Sequence, residues 1–134
     1  MKKYFLVILS FLFINNFYSQ NTLEKIELAF GKEQFENLKN NYPDSLKFYE
    51  FVCTNGFLIT EKSNMSPEDL KKAIALNIPE EIIQNGIPRS ELINIFLLPV
   101  KFNDTTKTIY SINNTNYFLI LRSKEYLIKK YKSK

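Results

Sequence analysis

Cys53 is the residue in this chain with the clearest capacity for nucleophilic chemistry. A thiol attacks as its thiolate, and it needs a base or a cationic neighbour to give up its proton. The chain has no histidine. The usual base for such a nucleophile is therefore missing, together with the commonest metal ligand and the side chain that titrates near neutral pH. Cys53 shares the apolar side of a helical stretch with Leu46 and Tyr49, which points to a buried structural thiol. A single cysteine also excludes a disulfide scaffold and any multi-cysteine zinc site.

Paired carboxylates are the next candidates. Glu24/Glu27, Glu33/Glu36 and Glu80/Glu81 stand close in sequence, and two carboxylates can run glycoside hydrolysis or hold a hard cation. Adjacent positions on a helix diverge, however, and pairs three apart near helix starts are ordinary solvated faces. Only three Asp occur, with no D-x-D-x-D-G loop, so the ligand supply for a cation is thin. No GxGxxG, P-loop, HExxH, GxSxG or CxxC pattern is present. The expectation is no catalytic residue, no metal and no cofactor.

Aromatic and basic residues are plentiful. There are 12 Phe and 8 Tyr but no Trp, and most recur at the spacing of inner helix or strand faces, where they pack a core. Tyr110, Tyr117, Tyr126 and Tyr131 have no assignable face. The C-terminus carries Arg122, Lys124, Lys129, Lys130, Lys132 and Lys134 against Glu125 alone. Cations suit a helix C-terminus, and they also suit an acidic partner or anionic headgroups. The expected interaction surface is one sheet face presenting Tyr110 and Tyr117 beside the basic last helix with Lys129 and Lys130. Tyrosine favours such sites because a rigid apolar body carries a polar tip.

The elements that must hold these residues begin after an address. Met1-Lys2-Lys3 is a positive start, Tyr4 to Ile14 is an uncharged apolar run, and Asn15-Asn16 ends it. This is the pattern of a secretory signal peptide over 1–20, with cleavage after Ser19 or Gln20. As a helix the run spans about 16 Å, roughly half a bilayer core. Losing Lys2 and Lys3 takes the formal charge from +4 to +2, and so little net charge gives no reason to expect nucleic-acid binding. Fifteen Asn, 15 Ile and 16 Lys against 2 Arg are a composition that fits an AT-rich bacterial genome.

Residues 21–134 form one domain, since no repeat or linker divides them. Leu23, Ile26 and Phe30, then Phe35, Leu38 and Tyr42, predict amphipathic helices near 22–30 and 32–41. Pro43-Asp44-Ser45 opens a third, ending at Asn55-Gly56 with the glycine as a left-handed stop. Phe57 to Thr60 reads as a strand. Ser66-Pro67-Glu68-Asp69 starts a helix with Leu70, Ala73 and Ile74 inward, ending at Asn77, and Pro79 starts a shorter one. Leu92 to Leu98 reads as a strand closed by Pro99. Residues 108–112 and 117–121 flank Asn113-Asn114-Thr115-Asn116 as a hairpin. Ser123 caps a last helix with Leu127, Ile128 and Tyr131 on one face and Lys129, Lys130 and Lys132 on the other. The whole is α+β: a helical N-terminal half plus a small antiparallel sheet with a C-terminal helix.

These features predict a small exported protein, periplasmic or secreted, acting as a non-catalytic binding module. Its partner would be another exported or envelope protein, with no nucleic acid and no transmembrane span once the signal is removed. A carboxylate-dependent hydrolase and an envelope-anchored structural component are the alternatives.

Overall fold

The computed structural model describes residues 21–134; the expected signal segment, 1–20, lies outside the described residues. Helix α1 (Thr22–Phe30) starts where the Asn21 side chain accepts the Glu24 N–H at 2.9 Å. Gly31, at φ 91°, turns the chain directly into α2 (Lys32–Asn41). Pro43 then occupies the first turn of α3 (Pro43–Asn55), where its missing N–H costs nothing. All three helices fall where hydrophobic spacing places them.

Gly56 follows α3 for a different reason from the one expected. Its backbone is right-handed, φ −72° and ψ −18°, so no left-handed stop is present. A Cβ there would stand 2.5 Å from the Val52 carbonyl oxygen. Lack of space selects glycine at this turn.

The sheet is built from β1 (Phe57–Glu61), β2 (Ile74–Leu76), β5 (Thr108–Ile112) and β6 (Tyr117–Leu121), in the order β1-β6-β5-β2. The expected hairpin joins β5 to β6 antiparallel, and β1 pairs antiparallel with the other side of β6. β2 runs parallel to β5, making the sheet mixed. Helix α4 (Pro67–Lys72) has the expected cap, Ser66 Oγ accepting the Asp69 N–H at 3.1 Å. It stops earlier than its periodicity suggests, because Ile74–Leu76 are drawn into pairing with β5, burying Leu76 and leaving Ile74 exposed.

Two further segments depart from expectation. After Pro79 only one tight turn forms, Glu80–Ile82, before a small hairpin of β3 (Ile83–Gln84) and β4 (Ile87–Pro88). Its turn is Asn85-Gly86, both at positive φ, which suits a two-residue hairpin loop. The segment 92–98 is no strand. It lies between and within two 3-10 turns, Ser90–Leu92 and Ile95–Leu97. Asn94 accepts the Phe96 N–H through its side chain, a local bond that competes with a ladder. The apolar run still serves the core, with Ile93 and Ile95 essentially buried.

Two hydrophobic clusters result. The larger one packs one sheet face against α3 and α5 (Lys124–Lys132), with Leu119, Leu121 and Leu127 at its centre. The smaller one joins the first three helices through Ile26, Phe35, Leu46 and Cys53. Phe96 packs against both clusters. On α5, Leu127 faces inward, and Tyr131 meets the rings of Phe48 and Phe51 edge-on at 5.3 and 5.4 Å. Ile128, expected on the same face as Leu127, is exposed.

Candidate interaction surface

Tyr110 does not lie on an open sheet face. It stands opposite Leu119 on the core side of the sheet and is 5% exposed. Its hydroxyl accepts the Lys101 N–H at 3.2 Å, which satisfies the one polar atom that burial would otherwise strand. Tyr117 is half-buried at the start of β6, at the opposite end of that strand from α5. Its hydroxyl donates to the Glu61 carboxylate at 3.0 Å, and that bond raises the phenol above its ordinary value of 10.0. Lys129 and Lys130 are exposed on α5. The four residues therefore do not form one surface. Lys129 and Lys130 remain on an open helix, while Tyr110 belongs to the core.

The surface around α5 is organised differently. On one flank Arg122, Tyr126 and Lys130 follow each other at four-residue spacing. The Arg122 guanidinium lies 4.8 Å and the Lys130 ammonium 5.9 Å from the centre of the Tyr126 ring, within cation–π range. The Lys134 ammonium lies 5.1 Å from the Phe51 ring. Tyr126, without an assignable face in the sequence, is thus the aromatic centre of a basic stripe.

The other flank of α5 borders α3 across an apolar groove. Phe48, Tyr49 and Val52 of α3, Leu127 and Ile128 of α5, and Phe96 and Phe102 of the intervening segment line a hollow of about 210 Å³, with Lys124 at its edge. The hollow continues toward Asp44, Ser45, Tyr131 and Lys132 through a second one of about 390 Å³, which shares Phe48, Tyr49 and Ile128. Leu46, Phe48, Tyr49, Phe51, Val52 and Cys53 make α3 apolar around most of its circumference, and that is the signal in the sequence that points to this groove. Phe96 and Phe102 carried none, because their segment has no periodicity that reveals a face.

Groups with chemical potential lie elsewhere. Cys53 is free and buried, its thiol donating to the Thr22 carbonyl oxygen at 3.9 Å. Burial pushes the thiol up to about 11, outweighing the downward pull of the nearby Lys25 charge. Lys25 is itself buried, and desolvation lowers its pKa from 10.5. Of the carboxylate pairs, Glu24, Glu33, Glu36, Glu80 and Glu81 are exposed and Glu27 is partly so. Among the described residues, no group of three or more acidic or cysteine side chains could hold a metal ion. A depression of about 830 Å³ between the ends of α3 and α5 is lined by one acidic side chain, Glu50.

No family model, curated protein or solved structure matches the chain. Among the described residues, no helix is long and apolar enough to cross a membrane.

Proposed function

We propose that the protein is an exported, non-catalytic interaction module whose partner docks along α5. The groove between α3 and α5 is the observation that carries this reading. Ile128 lies 44% exposed at its border, and the neighbouring Phe48 and Tyr49 offer rigid aromatic walls of the kind that anchor protein interfaces. Lys124 and Lys132 of α5 stand at the edges of the groove. An acidic segment with apolar anchors would match both features, its apolar side chains filling the groove and its carboxylates meeting the lysines. The partner is another exported or envelope protein, in keeping with the signal pattern of residues 1–20. The hydrolase alternative finds no support in the depression beside Glu50, where one acidic side chain stands and the reaction needs two.

The test is a photo-crosslinking side chain placed at Ile128 in cells that export the protein. The reading expects one protein adduct that is lost in the double variant Lys124→Glu, Lys132→Glu. A crosslinker at Glu68, on α4, serves as the control. No adduct at Ile128, or the same adduct at both positions, would refute the docking surface.

A further inference from the structure

β1 is an edge of the four-stranded sheet. Its pairing with β6 settles which of its backbone groups are occupied. The Arg122 N–H donates to the Gly56 carbonyl at 2.8 Å, and the Lys62 N–H to the Asn116 carbonyl at 3.0 Å. The register runs without interruption from Phe57↔Leu121 to Glu61↔Tyr117. Antiparallel alternation therefore assigns Leu58 and Thr60 to the bonds with β6. It turns the N–H and C=O of Phe57, Ile59 and Glu61 toward the open side. Among the described residues nothing bonds those outward groups. The strand carries few of the usual protections of an edge: Phe57–Glu61 contains no proline, no lysine and no bulge, and its one charge is Glu61 at the strand's end. The opposite edge, β2, is only three residues long, and shortness is itself such a protection.

We infer that β1 is a self-association edge, at which a second copy of this chain adds its own β1 antiparallel about a two-fold axis through Ile59. The outward residues are symmetric about that position. Ile59 meets Ile59 of the second copy, and Phe57 meets Glu61 in both directions, giving about six backbone hydrogen bonds. Moving the axis by one residue leaves one outward residue unmatched. The side chains fit the same register. Leu58, 44% exposed in the single chain, comes opposite Thr60 of the second copy. Each Glu61 faces Phe57, so the two carboxylates never meet. Lys62 comes opposite Gly56, at the end of α3, whose last turn carries no basic residue. A cation is favourable at that negative helix end. The two sheets become one continuous sheet across the axis, an isologous contact.

This edge is separate from the α3–α5 groove, and its test does not depend on a docked partner. A strand edge is smaller than the interfaces of about 1,600 Å² found in stable complexes, so the association is weak and concentration-dependent. The experiment is sedimentation velocity on the natively processed protein from about 5 to about 500 μM, with residue-resolved amide exchange on the same samples. The average mass should rise from one chain toward two. The amides of Phe57, Ile59 and Glu61 should gain protection as it does, while Leu58 and Thr60 stay protected throughout. Glu61→Pro is the matching variant, because Glu61 has φ −77° and its N–H is one of the outward donors. It should keep the fold, read by circular dichroism, and weaken association at least about ten-fold. A single-chain mass at the highest concentration would overturn the inference, as would a dimer whose new protection misses those three amides. If Glu61→Pro does not fold, the wild-type amide pattern decides alone.

Discussion

Asn94 and Lys25 are joined across 69 positions of sequence: the Asn94 side-chain amide donates to the Lys25 backbone carbonyl at 2.9 Å. Lys25 answers with its ammonium, which donates to the Glu91 backbone carbonyl at 2.9 Å. Both side chains are buried, at 7% and 8% exposure for Lys25 and Asn94, beside the fully buried Ile26 and Ile93. Polar groups hidden in such surroundings hold position only while every bond is made. The contact fastens α1 to a segment that has no sheet or long helix of its own.

Replacing Asn94 with Ala should therefore cost about 1–3 kcal/mol. The substitution removes the donor to Lys25 and the acceptor for the Phe96 N–H, the latter bond being 3.3 Å long. Urea unfolding at neutral pH measures the difference. A change within about 0.5 kcal/mol, as for an ordinary surface site, would show that the contact is incidental.

Cys53 should make stability fall on the alkaline side. Its thiol moves from an ordinary 9.0 to about 11 on folding. Between those values the folded chain keeps a proton that the unfolded chain has released, so this contribution is complete below pH 9 and is lost as pH climbs to 11. Its upper size is about 2–3 kcal/mol. Lys25 acts in the opposite sense. With its folded pKa below 10.5, it favours the folded state increasingly as pH rises through that window. Comparison with Cys53→Val isolates the thiol. The variant should lose about 2 kcal/mol less than wild type between pH 9 and 11, and identical slopes would contradict the assignment. At pH 8 the native thiol should also react with a disulfide reagent about 100-fold more slowly than the unfolded one.

At Gly56 the test separates crowding from backbone conformation. Gly56→Ala should destabilise by about 1–3 kcal/mol, because the new methyl meets the Val52 carbonyl. Gly56→Asn should be no better, since φ is not left-handed there. Gly86 is the converse, at φ +76° with open space around it. Gly86→Asn should cost less than about 1 kcal/mol, as asparagine tolerates that region. Thermal unfolding of the three variants is enough, and rescue by Asn at position 56 would count against crowding.

Tyr110 and Tyr117 should part company on truncation. Tyr110→Ala removes a core ring and should cost about 3–5 kcal/mol. Tyr110→Phe loses only the acceptor for the Lys101 N–H and should cost about 1 kcal/mol. Tyr117→Ala should cost about 1–2 kcal/mol, less than Tyr110→Ala, because its ring is only half-buried against the larger cluster and its hydroxyl bond to Glu61 is at the surface. Denaturant midpoints rank the three, and a tolerated Tyr110→Ala would remove Tyr110 from the core.

The sequence was most informative where local chemistry acts alone. Caps at Ser66 and Ser123, Pro43 at a first turn and the Asn-rich turn of the hairpin each specify their own few residues. It was least informative where a distant partner decides. Leu92 to Leu98 has the apolar content of a strand, yet its use depends on Lys25 lying across from Asn94. Ile74 continues a helical pattern until β5 offers a parallel ladder. The exposure of Tyr110 hinged on which sheet face α3 and α5 cover, and both faces of the hairpin contain large apolar side chains. The α3–α5 groove was foreshadowed by the broad apolar arc of α3, but its other walls come from a segment without period.

The pairing of Phe57 with Leu121 also sets an order of events for the folding chain. The first three helices assemble from neighbours in sequence, so their cluster around Ile26, Phe35 and Leu46 involves only short loops. β1 must wait for a partner some sixty residues downstream, and the entropy of closing that loop is spent before any ladder bond repays it. The rate-limiting event in refolding is therefore the arrival of β6 between β1 and β5. Substitutions that weaken that three-strand junction slow refolding, whereas substitutions at contacts made only after it closes act mainly on the rate of unfolding. Until the junction closes, both sides of β1 are bare, and Leu58-Ile59 is an apolar stretch without its ladder partners in β6.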